Sequence, residues 1–239
     1  VVVATARALK YNGGVAKADL NDENLEALKA GMPNLLRHVD NIQNVYGLPC
    51  VVAINRFPTD TEAELALIES ECQKLGVNVK LSEVWDKCRE LGVNVALSEV
   101  WAKGGEGALD LADEVMRLIE QPSELKFAYE DGADVADALE AVATKVYRAD
   151  GVDFTPAAKR QLAELRENGF GNLPVCVAKT QYSFSDNAKA LGAPENFRIT
   201  VRELKVSAGA HFVVALTGSV LTMPGLPKVP AAENIDVDN

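Results

Sequence analysis

Histidine is nearly absent from this chain, with His38 and His211 the two examples in 239 residues. Four cysteines (Cys50, Cys72, Cys88 and Cys176) lie far apart without a C-x-x-C pair, so neither a zinc site nor a disulfide framework has its usual spacing. They read as reduced thiols of a cytoplasmic protein. Positive charge is short too: 24 Lys and Arg stand against 35 Asp and Glu, a net charge of -11. A chain so acidic repels phosphate backbones and anionic lipid, which argues against nucleic acid and membrane surfaces as partners. No apolar run approaches the ~20 residues of a membrane helix. No G-x-x-x-x-G-K-[ST] phosphate loop occurs. An initiating Met and a basic leader are also missing: the chain opens at Val1-Val2-Val3-Ala4-Thr5 and closes at Val237-Asp238-Asn239, which reads as a fragment without a signal peptide.

What remains is globular material, 48% hydrophobic and 25% charged, enough for one and a half to two domains. Short β-rich runs alternate with helical patterns, the signature of α/β architecture. Val1 to Ala4 reads as a strand buried on both faces, and Pro49 to Ile54 as a second buried strand. Leu25, Leu28, Met32, Leu35, Val39 and Ile42 form a helix stripe, with Asn21 or Asp22 as its cap. Gly31 and Pro33 predict a kink or a break within it. Thr59 and Glu62 have capping-box spacing ahead of Leu65, Ile68 and Cys72. Further helices are expected up to about Ile119 and over roughly 134–147. Asp150-Gly151 punctuates the chain, dividing a region 1–150 from a smaller α/β region 151–239. Thr155 and Pro156 read as cap and first residue of a helix ending at Gly169. Val175 to Ala178 reads as a buried strand, and the alternating Phe197, Ile199 and Val201 and the apolar run Phe212 to Leu216 read as strands too.

A tandem repeat interrupts the first region. Residues 70–85 (SECQKLGVNVKLSEVW) and 86–101 (DKCRELGVNVALSEVW) agree at 11 of 16 positions. Two units do not make a solenoid, which needs at least about three. Each unit reads as a helix end, a Gly turn and a short strand such as Val93 to Leu97. One sheet position cannot hold both strands, so one copy is expected to be extruded or added at an edge of the sheet.

Chemistry is sparse on residue grounds. Gly13-Gly14 and Lys103-Gly104-Gly105-Glu106-Gly107 are turns first and anion cradles second. Arg7 and Lys10 follow one buried strand and Asn55-Arg56-Phe57 another, at the carboxyl ends where α/β folds place ligand sites. Trp85 and Trp101 either plug the core or stack on a planar ligand. His38 and His211 have no carboxylate or nucleophile at catalytic spacing, and Ser183, Ser185 and Asp186 read as a Ser-rich turn.

Five segments, in order, carry more: VATARALKYNGG (3–14), VAINRFPTDT (52–61), ALSEVWAKGGEG (96–107), LPVCVAKTQYS (173–183) and MPGLPKVPAA (223–232). Together they resemble the C-terminal portion of formate–tetrahydrofolate ligase (formyltetrahydrofolate synthetase) of the bacterial, monofunctional type. Ala6 replaces the usual Ile or Val of the signature, and Pro33 and Ser219 are further departures. The resemblance implies part of a P-loop NTPase-like, mostly parallel sheet with flanking helices, its phosphate loop lying in the half not seen here. It implies ligation of formate to tetrahydrofolate at the expense of ATP (with Mg) through formyl phosphate. A monovalent cation, potassium or ammonium, as activator and a homotetramer for the full-length enzyme follow from it too. By the same resemblance Phe57 and Trp101, with the backbone of Leu97, wall the pterin. Asn55 and Arg56 lie at nucleotide-base positions, and Arg7 and Lys10 face phosphoryl transfer. Trp101 is preferred to Trp85 because that repeat copy alone continues into Ala102-Lys103-Gly104-Gly105-Glu106-Gly107. The alternative reading is a folate-binding fragment without catalysis.

Overall fold

A computed structural model describes residues 1–74, 94–218, 220, 229, 230 and 233. Among the described residues the chain is α/β, with two sheets and three buried apolar clusters. In the first sheet, β1 (Val2–Ala4), β2 (Val51–Asn55) and β3 (Asn94–Ser98) run parallel in that order. Ala4 pairs with Ile54, and Ile54 with Leu97. Helices α1 (Ala6–Asn12), α2 (Leu25–Asp40) and α3 (Glu62–Lys74) connect these strands. After β3 come a single turn, α4 (Val100–Lys103), and helix α5 (Leu109–Ile119).

Strand β2 is buried on both faces because its alternate side chains meet different layers. Val52 and Ile54 pack with Leu28, Met32, Leu65 and Ile68, while Val51 packs with Leu118 of α5. Strand β1 corrects the expectation of two-sided burial. It sits at the sheet's edge, where Val3 stays 66% exposed.

Local capping departs from the sequence reading at two places. The cap of α2 is Asn24, whose side chain accepts the Ala27 N–H at 2.9 Å, rather than Asn21 or Asp22. Asp22 instead turns its carbonyl to the Lys10 ammonium. The capping box of α3 is Thr61 with Glu64, not Thr59 with Glu62. Thr61 Oγ1 accepts the Glu64 N–H at 3.2 Å and Glu64 Oε2 accepts the Thr61 N–H at 3.3 Å. Nor does Pro33 split α2, which runs unbroken to Asp40 and passes into a π-helical turn over Asn41–Val45. Pro33 is exposed while Leu28, Met32, Leu35 and Val39 hold the other side in the core, so packing overrides the breaker.

The second sheet has the order β4 (Val152–Phe154), β6 (Ile199–Ser207), β7 (Phe212–Thr217), β5 (Val175–Ala178). Strands β6 and β7 are antiparallel, and the outer pairs are parallel. Strand β5 is an edge strand with Cys176 exposed, so its expected full burial is not met. Helix α6 (Val135–Ala141) and helix α7 (Pro156–Glu167) cover this sheet. Thr155 caps α7, with Pro156 at its first turn as the sequence predicts. Residues 75–93, with most of the first repeat copy, Trp85 and Cys88, lie outside the described residues, as do Ser219 and most of the proline-rich tail. Among the described residues no helix is long and apolar enough to cross a membrane.

Candidate functional site

Three parallel strands end on one edge, and their last residues with the segments leaving them carry Arg7, Lys10, Asn55, Arg56, Phe57, Leu97 and Trp101. At the end of β1, Thr5 accepts the Ala8 N–H at 3.0 Å and starts α1. Arg7, in its first turn, is half-buried, and its guanidinium carbon lies 5.9 Å from the centre of the Phe57 ring. Among the described residues no hydrogen-bond acceptor or counter-ion reaches that guanidinium, whose contact is with the apolar ring. Lys10, one turn on, differs sharply. It is 1% exposed, with its ammonium 2.8 Å from Glu64 Oε1 and 2.9 Å from the Asp22 carbonyl. Its charge is therefore used inside the fold.

At the end of β2, Arg56 donates its N–H to the Ser98 carbonyl at 3.2 Å and pairs its side chain with Glu62. Asn55 is half-buried beside it. The next four residues close on themselves. Asp60 donates its N–H to the Phe57 carbonyl at 3.0 Å, and Asp60 Oδ2 accepts the Phe57 N–H at 2.8 Å. Phe57 is thus fixed at its backbone while its ring stays half-exposed. Asp60 is buried, and Oδ1 has no partner among the described residues. Burial pushes its pKa above the ordinary carboxylate value, against the bond from Phe57.

Sequence reasoning missed Asp60 and Glu64. Glu64 Oε1 also accepts the Asn24 N–H at 3.2 Å, so one buried carboxylate ties α1, α2 and α3 together. The signal was present: Glu64 shares a helix face with Leu65, Ile68 and Cys72, which bury it, whereas Glu62 points outward.

At the end of β3, Leu97 stands in register with Ile54 and Ser98 with Asn55. The backbone of Trp101 lies in α4; its side chain is outside the described residues, as is all of Trp85. The glycines after it are structural. Glu99 donates its N–H to the Gly107 carbonyl at 3.1 Å, and a Cβ on Gly107 would stand 2.5 Å from the Glu99 carbonyl carbon. Gly104 has a φ of +61°, a backbone that L side chains rarely adopt.

The remaining candidates fall elsewhere. Ser183 Oγ accepts the Ser185 N–H, Ser185 Oγ accepts the Asn187 N–H, and Asp186 accepts the Thr200 N–H, so this run is a turn without a nucleophile–base pair. His38 packs against Phe184 at 4.6 Å. His211 has a left-handed backbone ahead of β7. A groove of about 640 Å³ lies between α2 and the stretch around Glu195, but its Arg37 and Arg148 are already paired with Glu195 and Asp40. Among the described residues no three His, Cys, Asp or Glu side chains are arranged to hold a metal ion.

A family model described as formate–tetrahydrofolate ligase matches this chain in two stretches, residues 1–90 and 86–239. Residues 86–90 belong to both, so the match restarts at the first residue of the second repeat copy.

Proposed function

The chain belongs to the formate–tetrahydrofolate ligase family, and from that premise we propose that its strand-end edge is the folate wall of an ATP-dependent formate ligase. The reaction joins formate to tetrahydrofolate, giving 10-formyltetrahydrofolate, ADP and phosphate. Formate attacks the terminal phosphorus of ATP, releasing ADP and forming formyl phosphate. The folate N10 then attacks the formyl carbon, and phosphate leaves as the nitrogen gives up its proton. ATP with its magnesium, formate and folate are the substrates.

One observation carries this reading: Phe57 from β2 and the β3 segment of Leu97 and Trp101 leave adjacent parallel strands on the same edge. A flat heterocycle inserted there stacks on Phe57, and an aromatic pair contributes about 0.5–1.5 kcal/mol beyond burial. Trp101 is the opposite wall and the Leu97 backbone lines the slot. Asn55 and Arg56 flank the nucleotide base. Arg7 faces the anion in transfer, where a cation offsets developing charge. Lys10, spent on Glu64, holds α1 in place beneath Arg7. The P-loop-type sheet, the division near residue 150, a cytoplasmic setting and a tetrameric full-length enzyme belong to the same reading. Potassium or ammonium enters as activator on family resemblance, with no residue assigned to it. Lacking a phosphate loop in its sequence, this chain makes no product alone.

Calorimetric titration with tetrahydrofolate tests the slot. Saturable heat in the parent chain is expected to vanish in Phe57→Ala and Trp101→Ala and to survive in Trp85→Ala. Survival in Trp101→Ala with loss in Trp85→Ala would move the wall to the other repeat copy. Binding untouched by Phe57→Ala would overturn the stacking role.

A further inference from the structure

Asp60 lies in the loop between β2 and α3, and its two carboxylate oxygens have unequal surroundings. Oδ2 accepts the Phe57 N–H at 2.8 Å, while the Asp60 N–H returns to the Phe57 carbonyl at 3.0 Å. The residue is 6% exposed, yet Oδ1 has no partner among the described residues. Three charged groups act on it: Lys10 from α1, Glu64 from α3 and Arg56 from the end of β2. Neither cation is free to serve it. The Lys10 ammonium stands 2.8 Å from Glu64, and Arg56 pairs with Glu62. Two buried carboxylates thus share the neighbourhood of one buried ammonium, and Glu64 holds it. Burial and the Glu64 charge disfavour an ionised Asp60, while the Phe57 N–H, Lys10 and Arg56 favour it. Burial prevails, and the pKa lies above the ordinary carboxylate value.

We propose that Asp60 is a positioning residue for the Phe57 wall, holding it for the heterocycle when ionised and loosening it when a proton sits on Oδ1. This rests on the reading of Phe57 as a stacking wall. Oδ2 is engaged by the Phe57 N–H, so the proton goes to the unpartnered oxygen. The bond to Phe57 then changes from charge-assisted to neutral and loses roughly half its strength. A wall held less firmly has to be ordered by the ligand, which lowers affinity. For the fold the sign is opposite. A carboxyl whose folded pKa is raised adds stability as pH falls from that value to the ordinary one, because a buried charge disappears. Acid therefore weakens the grip on the heterocycle while the structure around Asp60 stays folded.

Tetrahydrofolate is titrated calorimetrically into the whole chain and into Asp60→Asn, from about pH 7 down to about pH 5, a window above the ordinary carboxylate value. Circular dichroism melts at each pH control for folding. Asp60→Asn keeps an oxygen for the Phe57 N–H but carries no charge, and the ligand's own titration is common to both chains. Near neutral pH the variant is expected to bind about fivefold more weakly than the parent, the difference between a charge-assisted and a neutral bond. On acidification the parent is expected to lose that advantage. Equal pH responses in the two chains would overturn the positioning role. A second measurement uses the parent alone: the Asp60 carboxyl carbon and the Phe57 amide are followed by NMR over the same window. They are expected to share one midpoint above the ordinary carboxylate value. A Phe57 amide that stays still while Asp60 titrates would overturn the proposal, as would an Asp60 midpoint at or below that value. A shared midpoint in a chain that takes no tetrahydrofolate at any pH would overturn the folate wall and the positioning role with it, leaving the proton-controlled bond to Phe57.

Discussion

Lys10 and Arg7 stand three positions apart on one short helix and have opposite fates, because the helix turns one toward Glu64 and the other toward Phe57. A buried ion pair stabilises little relative to an apolar pair of the same shape, but removing one partner strands the other charge. Lys10→Met is expected to cost about 3–5 kcal/mol, and Lys10→Met with Glu64→Leu clearly less than the sum of the singles. Urea denaturation of the four chains checks this; additive losses would mean that the two groups do not share their burial. At this scale the sequence offered candidates without ranking them. Arg7, Lys10, Arg56 and Phe57 were all legible from strand-end spacing, yet which cation was free depended on which carboxylates the fold turned toward them, Glu64 to Lys10 and Glu62 to Arg56.

Helices α1 and α2 meet through two glycines that local propensity would gladly replace. A Cβ on Gly31 would fall 1.9 Å from the Leu9 carbonyl oxygen, and one on Gly13 would fall 1.8 Å from that of Ala27. Gly31 lies within α2, where alanine is intrinsically better by up to about 1 kcal/mol. The contact is with backbone, which cannot swing aside, so the clash outweighs the propensity. Gly31→Ala is therefore expected to destabilise by about 1–3 kcal/mol in thermal or urea unfolding. A neutral or stabilising result would mean that the helices separate freely. Elements with strong local signals were readable, such as α7 with Thr155 and Pro156, and β2 with its unbroken apolar run. The capping boxes were not, since Thr59–Glu62 and Thr61–Glu64 share one spacing and only the core chooses between them.

Across the whole molecule, the stretch after β5 reaches back from the second sheet onto α1 and α2. Gly192 donates its N–H to Asn12 Oδ1 at 3.1 Å and receives a bond from Asn34 at 2.8 Å. Arg37 serves the Pro194 and Ala193 carbonyls at 2.8 and 3.3 Å and lies 5.2 Å from the Phe184 ring centre. Within the stretch, the Lys179 ammonium gathers the carbonyls of Thr180, Ser183 and Ser185. Arg37→Ala leaves two carbonyls unserved and is expected to cost about 1–3 kcal/mol. It should also open residues 180–196 to limited proteolysis before either sheet. Unchanged protection would show that other contacts suffice to hold the two sheets together.

Composition, charge and the order of apolar runs determined by themselves that this chain is α/β, and the five quoted segments carried its family, because strand burial and helix periodicity are written locally. Only the tertiary structure decided how the candidate site is used. Register brought Arg7, Asn55, Arg56, Phe57 and the Trp101 backbone to one edge. The buried Glu64 then claimed Lys10, leaving Arg7 over the Phe57 ring. Which charge stays free is a property of what surrounds it, and those surroundings are assembled from residues that sequence distance keeps apart.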